Sequence, residues 1–377
     1  MSKLSKIAVT LLLLVGFCVA LFFALRGQKA EGVRQQQEAS LAAAGPLNGF
    51  ISLDVEPFFK DERVRKILAE QRINLNVTRV GSREMAGKVG AVGNEKTDFF
   101  FPSGVVAANQ IADAARQAKL GTTSSSPFFT PMVMASWKPI AQILVGNGLA
   151  KPLGDKTYGV DMYKLTALML SRKRWKDLQG AAAYDVGRPV LVSTTDLRRS
   201  NSAAMYLALT SHAVNGELVT DRASAQAVAL KVAELFKRQG YQENYVNGNF
   251  DDYVSIGIGK TPLAFIYENQ MVQFALARKG VQQDMVLIYP QPTIVNKVVF
   301  VALNERARAL GDLLGSNAEL QRIAVEYGFR IADTGVFMQA VKGTGLAVEE
   351  RVSQVIDPPS FELMAEMIEI VSKEMAQ

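Results

Sequence analysis

The sequence is short of the residues on which most enzymes and metalloproteins depend, because it has one cysteine and one histidine among 377 residues. With Cys18 alone the chain can form no internal disulfide, and a zinc site built on cysteines is excluded. His212 lies in a helix-forming stretch without a partner, and no segment resembles a nucleophile elbow, so no Ser-His-Asp or Cys-His set is available. Carboxylates are scattered singly. The sequence therefore predicts a protein that is not an enzyme, with no catalytic residues, no metal and no cofactor.

Phosphate-binding and dinucleotide-binding loops are missing as well. The segment GIGKT at 257–261 has Val254 where a phosphate loop needs its first glycine, and Pro262 follows where the helix should begin. The segment GKVGAVG has the wrong glycine spacing for a dinucleotide fingerprint, and it precedes a predicted strand instead of following one. Both motifs are therefore rejected as nucleotide-binding sites.

Much of the net charge of +6 comes from the N-terminus. Residues 1–29 hold four basic residues and no acidic one, which leaves 38 Lys and Arg against 36 Asp and Glu, about +2, in the rest of the chain. So small an excess does not indicate nucleic-acid binding by bulk charge. We therefore expect no nucleic-acid partner.

An uncharged run of 19 residues, 7–25, is long enough to cross a bilayer as a helix. A cleaved signal peptide has a shorter apolar region followed by a small-x-small site, and the one near match lies inside the run. Lipidation of Cys18 would need a small residue before it, where Phe17 stands. We therefore predict an uncleaved signal anchor in residues 1–29 and a polar stalk in residues 30–46. The chain would pass once through the inner (cytoplasmic) membrane, with its C-terminal part in the periplasm.

Beyond residue 46, apolar runs such as GFISLDV, INLNVTRV and DFFFPSG alternate with helix-like stretches. This alternation predicts an α/β fold whose parallel sheet is covered on both faces. The segment SPFFTPMVMASW carries two prolines, which favour an edge or crossing strand over a central one. Residues 138–179 look helical and RPVLVSTTD is typical of a strand. The last helix should pack on another element, because one face carries Phe361, Met364, Ile368, Val371 and Met375.

Small polar residues follow five of the predicted strands. They are Ser82, Ser103, Ser136, the run from Ser193 to Asp196, and Tyr267 with Glu268. In open α/β sheets ligands bind in the crevice beyond the strand ends, and the N–H groups of helix N-termini there suit anions. Such residues also cap helices, which is the simpler explanation at any one position. Their recurrence at five strand ends favours a ligand site.

Five segments together resemble the type 2 periplasmic (bacterial extracellular) solute-binding proteins, in particular the branch that includes molybdate and sulfate binders. They are GSREMA, DFFFPSG, VMASWKPIAQILV, STTDLRRSNSAAMYLAL and FIYENQ. The resemblance covers roughly residues 47–377 and implies a bilobal fold, with two three-layer lobes joined by two crossing strands. One lobe would comprise residues 47–134 and 294–377, and the other residues 135–293.

The resemblance further implies that the protein captures a small polar ligand, an oxyanion in that branch, by hinge closure of the two lobes. The ligand contacts that it carries over are Ser82, Ser103, Ser136, Thr195, Asn201, Ser202, Tyr267 and Glu268. Two features depart from oxyanion binders. Arg83 and Glu84 follow Ser82, and Glu268 would repel an anion unless it were protonated or paired with a cation. These departures leave a cationic, a zwitterionic or a larger ligand open as alternatives.

The protein partner that the resemblance implies is a membrane permease or an envelope protein complex. A competing hypothesis of a different class is an envelope scaffold or stress-response (toxic-anion-resistance-type) assembly subunit that uses the same fold to dock other proteins. That hypothesis predicts a closed or filled cleft and an exposed apolar patch, for example on the last helix.

Overall fold

The computed structural model describes residues 45–90, 96–240, 248–277 and 280–377. Within it, Leu47–Ile67 and Asn76–Gln377 group into one unit. The predicted membrane segment, residues 7–25, and the predicted stalk up to residue 44 lie outside the described residues. None of the described helices combines the length and the apolar character that a membrane span requires.

The strands form one mixed sheet of nine strands in the order β2-β1-β3-β9-β4-β8-β6-β5, with β7 pairing β4 beside this path. Their bounds are β1 Leu47–Ile51, β2 Leu75–Arg79, β3 Phe99–Phe101, β4 Thr123–Trp137, β5 Ala150–Pro152, β6 Thr157–Asp161, β7 Leu263–Tyr267, β8 Met285–Gln291 and β9 Val295–Ala302.

The prediction of a parallel sheet is wrong, because only some of the strand pairs are parallel. β1 pairs with β3 and β6 with β8 in parallel, whereas β3 with β9, β5 with β6, and β4 with each of β7, β8 and β9 are antiparallel. The alternation of strands and helices accounts for the parallel pairs. The antiparallel pairs of β4 arise because the chain returns along this strand, first in β7 and later in β8 and β9.

β4 is the long strand that carries the two prolines. Its first part, Thr123–Pro131, pairs with β9, and its second part, Met132–Trp137, pairs with β7 and β8. The register shifts between Ser125 and Phe128, next to Pro127. β4 is therefore paired on both sides and lies in the middle of the sheet, so the expectation of an edge strand is wrong.

The helices are distributed along the whole described chain. Their bounds are α1 Glu56–Lys60, α2 Glu62–Glu70, α3 Val105–Gln117, α4 Lys138–Gly146, α5 Met162–Leu170, α6 Asn201–Asn215, α7 Arg222–Lys237, α8 Gly248–Ser255, α9 Glu268–Leu276, α10 Glu305–Ser316, α11 Ala318–Glu326, α12 Thr334–Val341 and α13 Phe361–Met375. Short 3-10 turns cover Leu53–Val55, Met85–Lys88, Trp175–Asp177 and Ala181–Tyr184. Helices α3 and α10 pack on β9, and α8 packs on β7.

Two segments differ from their predicted secondary structure. The helical prediction for residues 138–179 missed β5 and β6, an antiparallel pair that lies between α4 and α5. The predicted strand RPVLVSTTD forms only isolated bridges, of which one joins Ser193 to Ala264 of β7. Its apolar residues Val190 and Val192 are fully buried. The apolar pattern therefore predicted burial correctly, but the prediction of a regular strand is wrong.

An aromatic core fixes the strands that lead to the site. Phe99 and Phe101 of β3 are fully buried and contact Phe300 of β9, with ring centroids 4.9 and 5.3 Å from it. On β1, Gly49 lies opposite Phe99, and a Cβ atom there would come within 2.2 Å of that ring. Burial of a large apolar side chain stabilises a fold by about 1.5–3 kcal/mol. The core therefore holds β1 and β3 side by side, with their C-terminal ends at one edge.

The last helix, α13, packs mainly on α7 and more lightly on α3 and α6. Met364, Ile368 and Val371 of its predicted face are buried, as expected. Ion pairs between Arg222 and Glu366 (2.9 Å) and between Lys237 and Glu374 (2.8 Å) join its polar edge to α7.

Candidate functional site

Four of the predicted contact residues line one cavity of about 480 Å³: Ser82, Ser103, Asn201 and Tyr267. They come from the turn after β2, the end of β3, the first residue of α6 and the end of β7. These segments lie far apart in the sequence. The structure brings their side chains together at a single hollow.

The ends of β1 and β3 form the inner wall of this cavity. Because the two strands are parallel, the residues that follow them meet at the same edge of the sheet. The Ser52 N–H donates to the Phe101 carbonyl at 3.0 Å, and the Ser103 N–H donates to Ser82 Oγ at 2.9 Å. Backbone and side-chain hydrogen bonds thus hold three hydroxyl residues at the cavity wall.

A carboxylate, Asp54, lies beside Ser103 and Tyr267 in this wall. The Ser103 hydroxyl donates to Asp54 Oδ2 in a short hydrogen bond. Burial raises the pKa of Asp54, and the Ser103 hydrogen bond offsets part of that rise. Burial also raises the pKa of Tyr267 well above its ordinary value, and the nearby Asp54 charge adds to the effect. Tyr267 therefore stays a neutral phenol at all physiological pH values.

Asn201 lines the cavity and forms hydrogen bonds with two strands. Its Nδ2 atom donates to the Tyr267 hydroxyl at 3.0 Å and to Asn296 Oδ1 at 3.2 Å. The neighbouring backbone has to be Gly104, because its φ is +89° and a Cβ atom would lie 3.2 Å from the Asn201 amide group. The Asn201 side chain is thus held by hydrogen bonds to two strands, β7 and β9.

Two helices of the site begin without a side-chain cap. The residues before α3 and α6, Gly104 and Ser200, make no capping hydrogen bond. Ser200 Oγ pairs instead with Ser202 Oγ at 2.9 Å. Since Asn201 and Ser200 line the cavity, the N-terminal end of the α6 dipole lies at its wall, where it favours negative charge.

Basic side chains outnumber acidic ones around the cavity. Arg79, Arg83, Lys88 and Arg199 line it together with Asp54 and Glu84. Arg79 pairs with Glu56 outside the lining at 3.3 Å. In the part of the chain that the structure describes, neither Lys88 nor Arg199 has a carboxylate within 4.0 Å. The wall therefore carries excess positive charge.

Arg83 bridges two segments of the wall. Its Nη1 atom donates to the carbonyl oxygens of Leu197 at 2.9 Å and Arg198 at 3.1 Å. The turn after β2 is thereby tied to the loop before α6. The loop itself is shaped by Asp196, whose carboxylate accepts hydrogen bonds from the Arg198 guanidinium at 2.6 and 2.9 Å.

The other four predicted residues do not line the cavity. Ser136 is fully buried in β4, and its hydroxyl donates to the Pro262 carbonyl at 2.7 Å. Thr195 and Ser202 are buried and their hydroxyl oxygens lie 2.9 Å apart. Glu268 is fully buried, pairs with Arg330 at 2.6 Å and accepts the Tyr289 hydroxyl at 2.5 Å. Glu268 is thus paired with a cation, which is one of the two conditions under which it would not repel an anion.

Sequence reasoning missed several residues of the wall: Ser52, Asp54, Arg79, Lys88, Arg199 and Ser200. Ser52 and Asp54 follow β1 in the segment GFISLDV, so the rule that found Ser82 and Ser103 would have found them if applied to the first strand. The basic residues had no such signal, because exposed arginines and lysines occur throughout the sequence.

A second cavity of about 530 Å³ adjoins the first. It lies among α3, α6 and α13, and most of its lining is apolar, including Val106, Met205, Phe361, Met364, Ala365 and Ile368. Gly81, Arg83, Glu84, Arg199 and Asn201 line both cavities. Among the described residues, no group of three or more His, Cys, Asp or Glu side chains is placed to hold a metal ion.

No protein-family model matches the sequence, and no curated protein matches it significantly. Solved structures do match. An ABC transporter protein from Clostridium perfringens superposes with a TM-score of 0.55 and 12% identity over 87% of this chain and 99% of that one. A Listeria monocytogenes ABC transporter protein named for spermidine and putrescine gives a TM-score of 0.55 and 10% identity over 87% and 98% of the two chains.

The periplasmic binding protein AfuA from Actinobacillus pleuropneumoniae, solved with fructose-6-phosphate bound, gives a TM-score of 0.51 and 14% identity, covering 87% of this chain and 97% of that one. The chain thus has the fold of the periplasmic substrate-binding proteins of ABC transporters, and the resemblance predicted from the sequence is confirmed at the level of fold. None of these three structures is named as an enzyme.

Proposed function

We propose that the protein is an extracytoplasmic solute-binding protein that captures a small polar anion in the cavity of Ser82, Ser103, Asn201 and Tyr267, without covalent chemistry. One observation carries the proposal: polar side chains from four distant segments converge on one hollow of about 480 Å³. Hollows of roughly 300–1,000 Å³ with a few convergent polar groups are the usual sites for small molecules.

The charge of the wall supports an anion, in keeping with the oxyanion branch of the resemblance. Lys88 and Arg199 add positive charge, and α6 points its N-terminal end at the cavity. One protein of this fold is named for polyamines and another was solved with a sugar phosphate bound, so the fold alone leaves the sign of the ligand open. In this chain the excess of basic residues favours the negative sign.

Capture by closure of two lobes is the mechanism that we propose. β4 and the β8–β9 segment run antiparallel beside each other, which is the arrangement expected of two crossing strands. The proposed lobes are residues 47–134 with 294–377, and residues 135–293. α13 is the exception, because it packs mainly on α7 of the second range while it also contacts α3 of the first. The Arg83 bridge to Leu197 and Arg198 would hold the lobes closed.

We also propose that residues 7–25 anchor the protein to the inner membrane and that a permease or an envelope complex receives the ligand. The charge-free sequence of residues 7–25 supports the anchor. The alternative of a protein-docking scaffold predicts a closed or filled cleft and an exposed apolar patch, for which the last helix is one candidate place. The apolar face of α13 is instead buried, with Met364, Met367 and Val371 all nearly inaccessible.

The experiment is native mass spectrometry of the full chain purified without added ligand. We expect a small molecule bound to the wild type at one copy per chain, and its loss from the double variant Ser82→Ala, Asn201→Ala. The released molecule, added back at a hundredfold excess over its Kd, should stabilise the wild type by about 2.7 kcal/mol. It should leave the double variant unchanged.

The matched control is the double variant Asn109→Ala, Ser124→Ala, which changes the same residue types at exposed positions that line neither cavity. It should retain the bound molecule. Equal occupancy in the wild type and in the Ser82→Ala, Asn201→Ala variant would contradict the proposed site.

A further inference from the structure

A small polar ion can be bound in the polar cavity alone, so its capture does not require the second, mostly apolar cavity among α3, α6 and α13. Its volume of about 530 Å³ matches that of the polar cavity. Apolar walls left in contact with water are unfavourable, whereas apolar ligand surface buried there contributes to binding. The cavity therefore points to an apolar part of the ligand.

The apolar cavity stays open because small side chains line part of its walls. Ala107, Ala204 and Ala365 line it on three different helices, one on each of α3, α6 and α13. Phe361, at the start of α13, is only half-buried and also lines it. A larger side chain at any of these alanines would fill part of the cavity, so the three helices meet around a hollow and not around a packed core.

Cationic groups stand where the polar and apolar cavities meet. Arg83 and Arg199 line both of them. Within the described residues, neither guanidinium has a carboxylate within 4.0 Å, and Arg83 donates to backbone carbonyls. Asn201 lies at the same boundary. One carboxylate, Glu84, also lines both cavities. A ligand that spans them would thus meet two guanidinium groups and one carboxylate, an excess of positive charge, between its polar and its apolar parts.

We propose that the ligand is an amphiphilic organic anion. Its anionic oxygen head group, of the phosphate monoester or carboxylate class, would occupy the polar cavity. Its hydrocarbon part would pass Asn201 and fill the apolar cavity. This inference rests on the proposed function, since it extends the same site. It excludes a simple inorganic oxyanion as the preferred ligand, because such an ion leaves the second cavity unused.

The experiment is a calorimetric titration of the full chain with alkyl phosphates and alkyl carboxylates of one, four and eight carbons, each below its micellar concentration. We expect affinity to rise with chain length by about fourfold per buried methylene. The neutral alcohol of eight carbons should bind at least tenfold more weakly than the phosphate of the same length, because it lacks the charge that Arg83 and Arg199 face.

Two variants separate the cavities. Ala365→Trp, at an exposed position of α13, should abolish the dependence on chain length and leave the affinity for methyl phosphate unchanged. Ala227→Trp, at an exposed position of α7 that lines neither cavity, is the matched control and should behave as the wild type.

Failure of the inference and failure of the proposed function give different results. Equal affinity for one-carbon and eight-carbon anions, or no binding of the eight-carbon anions, would overturn the inference, and so would an equally tight neutral alcohol. The inference can fail in one of these ways while short anions still bind to the wild type and not to the Ser82→Ala, Asn201→Ala variant. In that case the proposed function still holds. If the eight-carbon anions bind equally well to that variant, the polar site is wrong.

Discussion

At the scale of single residues, Asp54 is the least expected member of the polar cavity. A carboxylate in a site for an anion is unfavourable when it is ionised. Burial raises the pKa of Asp54, and the Ser103 hydroxyl donates to it. Residues that serve binding are often retained at a cost in stability. We interpret Asp54 in this way, as a group that accepts hydrogen bonds at the expense of the free energy of folding.

Asp54→Asn should therefore stabilise the protein at pH 7. The amide keeps an acceptor for Ser103 and removes a buried charge, so we expect the free energy of unfolding to rise by about 1 kcal/mol, a usual size for such replacements. The pKa of Asp54 is raised in the folded state, so the wild type loses stability as the pH rises from the ordinary value of 3.8 through the raised pKa. The difference between variant and wild type should therefore shrink as the pH falls through that window.

Urea unfolding measured at a series of pH values checks this prediction. The matched control is Asp185→Asn, at an exposed position outside the cavity, which should change stability by less than about 0.5 kcal/mol at every pH. An Asp54→Asn variant that is less stable than the wild type at pH 7 would refute our interpretation of Asp54.

Glu268 shows why a polar residue after a strand need not face a ligand. It is fully buried and forms hydrogen bonds with Arg330 at 2.6 and 2.9 Å. The Arg330 guanidinium also donates to the Glu350 carbonyl at 3.0 Å. Removal of one partner from a buried ion pair is strongly destabilising, because the other charge is left uncompensated. Glu268 thus anchors the segment around residue 350 and serves the fold.

At the scale of elements, the turn after β2 and the loop before α6 are tied by Arg83. Arg83→Ala removes the two hydrogen bonds that the guanidinium donates to the Leu197 and Arg198 carbonyls, both at part-buried or exposed positions. We expect the amides of residues 197–203 to exchange with deuterium about tenfold faster than in the wild type, which corresponds to about 1.4 kcal/mol of local opening.

Arg79→Ala is the control for this prediction. Arg79 lines the same cavity but pairs with Glu56 and does not reach the loop before α6. Its removal should leave the exchange of residues 197–203 unchanged. Equal exchange in all three proteins would show that Arg83 does not hold the loop.

The same elements show how far the sequence could predict the structure. The ends of apolar runs located Ser82, Ser103 and Tyr267 at one cavity, because strand ends are visible as a change from apolar to polar residues. The pattern could not show that the Ser136 hydroxyl points at Pro262 or that Thr195 faces Ser202. Those orientations depend on strand register and on partners far along the chain. The β5–β6 pair was missed because its strands have only three and five residues.

At the scale of the whole molecule, the described chain has one mixed sheet with β4 in its middle, and two adjoining cavities. β4 pairs with β9 along its first part and with β7 and β8 along its second, and the cavities lie beyond strand ends and between helices. Likeness to solved structures confirms the fold. The lobes, their closure and the ligand are our proposals, and they depend on the polar cavity being the place where the ligand binds.

A crystal structure of the full chain with its co-purified small molecule tests that claim most directly. We predict that the molecule lies in the polar cavity, with an anionic oxygen within about 3.2 Å of the hydroxyl of Ser82 and the guanidinium of Arg199. A molecule bound at another surface, with only water among Ser82, Ser103, Asn201 and Tyr267, would contradict it.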